Sequence, residues 1–319
     1  MNNSEIFCKM LSTIFLLLFF GCQSEGNSTT TDTIDPPKRE MITSPSPQKE
    51  NLISEDDFLL NKSIFPKDRT EILKRLKQKI ENSEPLVIHV FVPLCDNDNQ
   101  GIVPVSRALG NGLNLKTNLY WGALYGVKTH FNKQKDWKFI FSKKDLDKNV
   151  LERVVFSKKY SNGALVYLVA DAYRGDRMKA CLNDYFDALS NTSKDDFTFE
   201  NIKIGLGGNA DLIVFNGHNG LMDTAVDFPK ESHPVAKEAV TVACASFSYF
   251  EDYFKKVNAY PLLNTTNLLA PEAYVLEEVF DAWALLKDEK AIHHAAGSAY
   301  NKYQKCGLKG AKRLFKPGW

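Results

Sequence analysis

Strand-length apolar runs recur along the chain, and each of the longest ends in a polar turn. The four most continuous are rich in β-branched or aromatic residues and cover 86–95, 164–170, 212–215 and 239–243. Such runs are typical of strands buried on both faces, as in parallel sheets. Lys and Arg interrupt two further strands, predicted over 137–142 and 151–157, which places them nearer an edge.

Apolar residues at helical spacing alternate with these runs, as Leu73, Leu76 and Ile80 illustrate. The helices predicted in this way cover 69–82, 118–126 and 290–304, with one ending near 189 and another beginning near Pro271. Strands that alternate with helices predict an α/β fold. We therefore expect a three-layer sandwich around a largely parallel sheet, followed by a helical C-terminal segment.

Polar clusters follow the predicted strands where their carboxyl ends should meet. They comprise Asp96 and Asp98, Asp171 to Arg174, Asn216 to Gly220, and Cys244 with Ser246. Open α/β sheets bind their ligands just beyond the carboxyl ends of the strands. The sequence therefore predicts one functional edge of the sheet.

A thiol and an imidazole at this edge suggest nucleophilic chemistry. His218 ends one buried strand and Cys244 ends the next, and a nearby His raises the thiolate fraction of a Cys. We expect Cys244 to attack a carbonyl carbon with His218 as the base. Backbone N–H groups of Cys244 and of Asn219 or Gly220 would then hold the oxyanion. The side chains expected to bind substrate are Asp171, Arg174 and Asn216.

The same residues carry a family resemblance. The strand–His–Gly and strand–Ala–Cys order, with Ala243 before Cys244, resembles the caspase-like superfamily of cysteine peptidases, which includes gingipains, clostripain and legumain. The resemblance covers about residues 211–250 and implies that His218 and Cys244 end adjacent parallel strands. The chain has His218-Asn219-Gly220 in place of His-Gly, and its spacing of 244 − 218 = 26 is short for that superfamily. The region from Leu86 onward also resembles an uncharacterised family of bacterial exported proteins, which implies no activity.

Two other interpretations stay open. Asp96 and Asp98 lie in a turn with the ligand chemistry of half a Ca²⁺ loop, but position twelve from Asp96 is Arg107 instead of Glu. A solvated turn is expected there, and no metal or cofactor is predicted. Alternatively, the chain is a non-catalytic binding protein whose ligand rests on aromatic side chains. The residues of that aromatic floor would be Tyr120, Trp121 and Tyr125.

The N-terminal region predicts export and lipid anchoring. Lys9 and an apolar run precede Gly21-Cys22, which resembles a bacterial lipoprotein signal with Cys22 as the acylated residue. The predicted parts are a signal peptide over 1–21, a disordered tether over 22–55 and one α/β domain over 56–319. We expect the chain to lie in the cell envelope, with the outer membrane favoured, and to have the lipid bilayer as a partner.

Charge and cysteine content add two expectations. The formal net charge is +1, so nothing favours nucleic acid as a partner. Peptide or other carbonyl compounds are the expected substrates. Export places the remaining thiols in an oxidising compartment. If Cys244 stays free for catalysis, the pairing expected among Cys95, Cys181 and Cys306 is Cys181 with Cys306.

Overall fold

The computed structural model describes residues 66–227 and 235–319. The predicted signal peptide, Cys22, the tether and the first residues of the predicted domain lie outside these ranges. In the part that is described, no helix is long and apolar enough to cross a membrane.

Ten strands and seven α-helices follow one another in the described ranges. The strands are β1 (Leu86–Pro93), β2 (Lys138–Lys144), β3 (Val150–Lys159), β4 (Leu165–Tyr173), β5 (Lys194–Phe199), β6 (Ile202–Gly207), β7 (Leu212–Asn216), β8 (Lys237–Val242), β9 (Ala259–Thr265) and β10 (Phe315–Lys316). The helices are α1 (Thr70–Glu81), α2 (Val127–Lys133), α3 (Met178–Leu189), α4 (Ser246–Lys256), α5 (Ala273–Ala284), α6 (Glu289–Gln304) and α7 (Leu308–Arg313).

Eight strands form the central sheet in the order β10-β9-β8-β7-β1-β4-β3-β2. The five from β9 to β4 are parallel, while β2, β3 and β10 pair antiparallel at the two edges. After β1 the chain adds β2, β3 and β4 on one side of β1, and it then continues with β7 on the other side of β1. The carboxyl ends of β1, β7 and β8 therefore meet beside a change of direction, where α/β sheets place their ligands.

Helices cover both faces of the sheet. On one face, α3 and α4 pack on Ile213, Phe215 and Ala239. Strand residues alternate between faces, so Glu238 lies on the opposite face, where the Trp283 indole of α5 donates to it at 2.7 Å. The α/β class, the three layers, the largely parallel sheet and the C-terminal helices are as the sequence predicted.

The clearest helix and strand predictions are confirmed within one or two residues. Helix α1 corresponds to the helix predicted over 69–82, and α6 corresponds to the one predicted over 290–304. Strands β1 and β7 occupy two of the predicted apolar runs. The antiparallel pair β5–β6 was not predicted, because Gly205 and Gly207 of β6 interrupt the apolar pattern of a strand.

The short helix predicted over 118–126 is wrong, since these residues form successive turns and α2 begins only at Val127. The Asn118 side chain fixes the first turn by bonding both the N–H and the carbonyl of Cys95, at 3.1 and 2.8 Å. A Cβ at Gly122 would lie 2.3 Å from the Leu115 carbonyl oxygen. Close backbone contact, which only glycine permits, replaces helical packing here.

Candidate functional site

The site begins with the register of two neighbouring parallel strands. Asn216 of β7 pairs with Val242 of β8, and His218 and Cys244 each lie two residues beyond that pair. Backbones of adjacent strands are about 4.8 Å apart. The Asn219 amide joins the two turns by donating to the Cys244 carbonyl at 2.7 Å. His218 and Cys244 therefore occupy equivalent positions after neighbouring strands, at the same edge of the sheet.

Asp223 orients the His218 ring. Its Oδ2 lies 2.6 Å from His218 Nε2 and accepts a second bond from the Gly101 N–H at 3.0 Å. Because a carboxylate accepts, Nε2 carries a proton and Nδ1 is the nitrogen left to act as a base. Asp223 was not predicted as a site residue. A turn of 3₁₀ helix over Gly220–Met222 brings its carboxylate back to the His218 ring. In the sequence, the only sign of this role is that Asp223 is an acidic residue five positions after His218.

The Cys244 thiol is half-buried and hydrogen-bonded to backbone. Its Sγ donates to the Leu269 carbonyl oxygen at 3.5 Å, and burial raises its pKa. Across residues 66–227 and 235–319, no hydrogen bond joins this thiol to the His218 ring. In the resting arrangement the thiol is therefore bonded to the Leu269 carbonyl, and the imidazole of the neighbouring strand end is oriented by Asp223.

The turn after Cys244 is backbone-strained. Ala245 has φ 48° and ψ 33°, in the left-handed region, and helix α4 begins at Ser246. A non-glycine residue in this conformation costs roughly 1 kcal/mol or more. Ser246 is fully buried and its hydroxyl donates to the Thr241 carbonyl at 3.0 Å, so it secures the turn.

The backbone groups expected to hold an oxyanion are available. Within the described ranges, the N–H groups of Asn219, Gly220 and Cys244 are not donors in any backbone–backbone hydrogen bond. Gly220 serves packing, since a Cβ there would meet Met178 Cγ at 2.2 Å. The Met178 side chain therefore occupies the space that a Cβ of residue 220 would need.

Asp171 lies in the interior, and its position does not fit the predicted binding of substrate. Strand β4 continues to Tyr173, so Asp171 is a strand residue and is 2% exposed. Arg153 binds it through two bonds, of 2.7 and 2.6 Å, and His89 Nε2 lies at 3.0 Å. Burial alone would raise the Asp171 pKa, but the hydrogen bonds from Arg153 and His89 outweigh it and bring the pKa to about 2.

Two other predicted substrate-binding side chains are also engaged within the protein. Arg174 follows β4 and forms two hydrogen bonds with Asp176, of 2.9 and 3.0 Å. Asn216 is fully buried, and its amide donates to the Pro271 carbonyl at 3.0 Å. The structure therefore brings Asn216 close to the Cys244 turn but turns its amide towards the loop before α5.

The acidic turn after β1 is occupied by its own hydrogen bonds. Asp96 Oδ1 accepts from the backbone N–H groups of Asp98 and Asn99, at 2.9 and 3.2 Å, and Oδ2 accepts from the Asn99 amide at 3.0 Å. Asp98 points outward and is exposed. In the described residues, no group of three or more His, Cys, Asp or Glu side chains could hold a metal ion.

The predicted aromatic floor is not assembled. Tyr120 and Trp121 are buried, and the Trp121 indole donates to Glu152 at 2.8 Å. Tyr125 is half-buried, with its ring against Tyr274 at 5.5 Å between centroids. These aromatic residues belong to the packing between the 118–126 turns, β3 and α5.

The cysteine pairing predicted between Cys181 and Cys306 is wrong. Cys95, Cys181, Cys244 and Cys306 are all free thiols. Cys181 is fully buried in the core under α3, with its pKa raised by burial, whereas Cys306 follows α6 and is partly exposed. Cys306 is therefore the natural reference for the reactivity of Cys244.

Comparison of the chain with protein-family models, curated proteins and solved structures gives no match. The family resemblances of the sequence therefore stay predictions.

Proposed function

We propose that this chain is a lipid-anchored envelope hydrolase, of the peptidase or amidase type, that uses Cys244 and His218. The observation that carries the proposal is the shared register of β7 and β8, two residues before each group. The Asp223 carboxylate adds the orienting group that such pairs require.

The reaction begins when the thiol leaves the Leu269 carbonyl and gives its proton to His218 Nδ1. The Sγ–C bond forms as the carbonyl π electrons move to oxygen, where the N–H groups of Cys244 and of Asn219 or Gly220 receive them. The oxyanion then collapses, the bond to the leaving group breaks, and that group takes the proton from His218. Water attacks the thioester, with His218 accepting its proton and returning it to the departing thiolate.

The test is the order in which the thiols react. Under limited iodoacetamide we expect Cys244 to be alkylated before Cys306, and His218→Ala to slow Cys244 by at least about tenfold without unfolding the protein. Peptide mass spectrometry measures both rates. Burial raises the Cys244 pKa, so without a working base this thiol has no advantage. Equal or slower alkylation of Cys244 would refute the proposal.

A second candidate is a non-catalytic binding protein of the envelope. The hydrogen bond from Cys244 to Leu269 and the raised pKa of the thiol favour it, because both stabilise the unreactive protonated form. In that case the His218–Asp223 pair fixes the turn and does no chemistry. The order in which Cys244 and Cys306 are alkylated distinguishes the hydrolase from the binding protein.

The lipid anchor is a separate proposal supported by the sequence before Cys22. Metabolic labelling with a palmitate analogue should mark the full-length protein, and Cys22→Ala should abolish the label. Cys306→Ala is the matched control and should keep it. A label that persists in Cys22→Ala would exclude acylation at this residue.

A further inference from the structure

Large apolar side chains are exposed mainly at one edge of the sheet. The described residues include nine such side chains, and six lie on segments that follow the carboxyl ends of parallel strands. They are Val103, Leu113 and Leu124 after β1, Met222 after β7, Tyr249 after β8 and Leu268 after β9. The first three are each more than half exposed. Single exposed apolar residues need no explanation, but clusters mark binding surfaces.

The segments after β7, β8 and β9 are joined by hydrogen bonds at the Cys244 turn, and together they are called the rim. The bonds run from the Asn219 amide to the Cys244 carbonyl (2.7 Å), from Ala245 N to the Asn267 carbonyl (3.0 Å) and from Cys244 Sγ to the Leu269 carbonyl (3.5 Å). The exposed apolar residues of the rim are Met222, Tyr249 and Leu268.

The charged groups predicted to select a substrate at this edge are neutralised by partners. Arg174 pairs with Asp176, and Asp171 is buried with Arg153. Paired charges gain less from a charged ligand than free ones do, whereas exposed apolar side chains gain from being covered. The rim therefore favours apolar groups.

Resting on the proposed function, we infer that the site takes peptide substrates with an apolar side chain next to the attacked carbonyl. Met222 and Leu268 are the residues placed to contact it. Met222 lies four positions after His218, and Leu268 precedes the residue whose carbonyl holds the Cys244 thiol. The occupant of the rim is thus an apolar peptide segment, and not an acidic or basic one.

Peptidyl chloromethyl ketones test this inference on the full-length protein. Their reaction forms a bond between Cys244 Sγ and the methylene carbon, breaks the C–Cl bond, releases chloride and passes the thiol proton to His218. We expect reagents ending in Leu or Phe to alkylate Cys244 at least about tenfold faster than those ending in Asp or Arg. Iodoacetamide, which has no side chain, serves as the reference reagent.

Rim variants complete the test. Met222→Glu and Leu268→Glu should each reduce the preference for Leu over Arg by several-fold, with each rate divided by the iodoacetamide rate of the same variant. Val235→Glu is the matched control, since Val235 is equally exposed and precedes β8, at the amino end of that strand. Equal rates for Leu and Asp reagents, or rim variants that behave like Val235→Glu, would overturn the inference alone. Failure of iodoacetamide to select Cys244 would overturn the proposed function.

Discussion

Asp171→Asn should destabilise the domain by about 3 kcal/mol at neutral pH, because it leaves the buried Arg153 guanidinium without its counter-charge. The two partners are 17% and 2% exposed in their side chains, so solvent does little to replace the lost interaction. Urea unfolding followed by circular dichroism measures the loss. Such an effect would establish Asp171 as a structural residue of β4.

The loss should depend on pH in a defined direction. The folded pKa of Asp171 is about 2, against an ordinary value of 3.8. A carboxyl group whose pKa is lower in the folded state stabilises the fold at any pH above its ordinary pKa. This stabilisation is lost as the pH falls through the pKa of the folded state. The shift corresponds to about 2 kcal/mol, so the gap between wild type and variant should shrink by about half of that amount by pH 3.

Asp176→Asn is the matched control for this prediction. Asp176 also pairs with an Arg, but its side chain is 29% exposed, and exposed pairs contribute about 0–1 kcal/mol. If Asp171→Asn changed the reactivity of Cys244 while stability stayed at the wild-type value, a role at the site would be correct and the structural assignment wrong.

Asp223→Asn should slow alkylation of Cys244 on the order of 10²-fold, nearly as much as His218→Ala does. The amide keeps the shape of the carboxylate but removes the charge that stabilises the imidazolium formed when His218 takes the thiol proton. The decisive measurement is the ratio of the Cys244 and Cys306 alkylation rates at neutral pH, obtained by peptide mass spectrometry. Circular dichroism shows whether the variant stays folded.

Two controls accompany this prediction. Asp223→Glu keeps the charge and should recover part of the rate, whereas Asp98→Asn removes an exposed carboxylate from the same edge and should leave the rate unchanged. An unchanged rate ratio in Asp223→Asn would mean that Asp223 only fixes the turn, and that His218 needs no orienting partner.

The sequence by itself determined the class of fold and which residues follow the ends of the buried strands. Continuous apolar runs predicted the buried parallel strands, because a strand covered on both faces cannot alternate with polar residues. His218 and Cys244 each follow such a run. Since the carboxyl ends of parallel strands share an edge of the sheet, the order of apolar runs was enough to place the imidazole and the thiol at that edge.

Only the tertiary structure decided which residues at that edge face each other. Strand β4 extends to Tyr173 because it pairs along its length with β1 and β3, and this pairing buried Asp171 where the sequence suggested an exposed turn. Pairing with the neighbouring strands determines where a strand ends, and the apolar pattern of a single strand does not show where its neighbours lie. The same holds for the bond from Gly101 to Asp223 and for the bond from the Cys244 thiol to the Leu269 carbonyl, since each joins residues from distant segments. Hydrophobic pattern is a local property of the chain, whereas strand register and side-chain partners depend on contacts between segments.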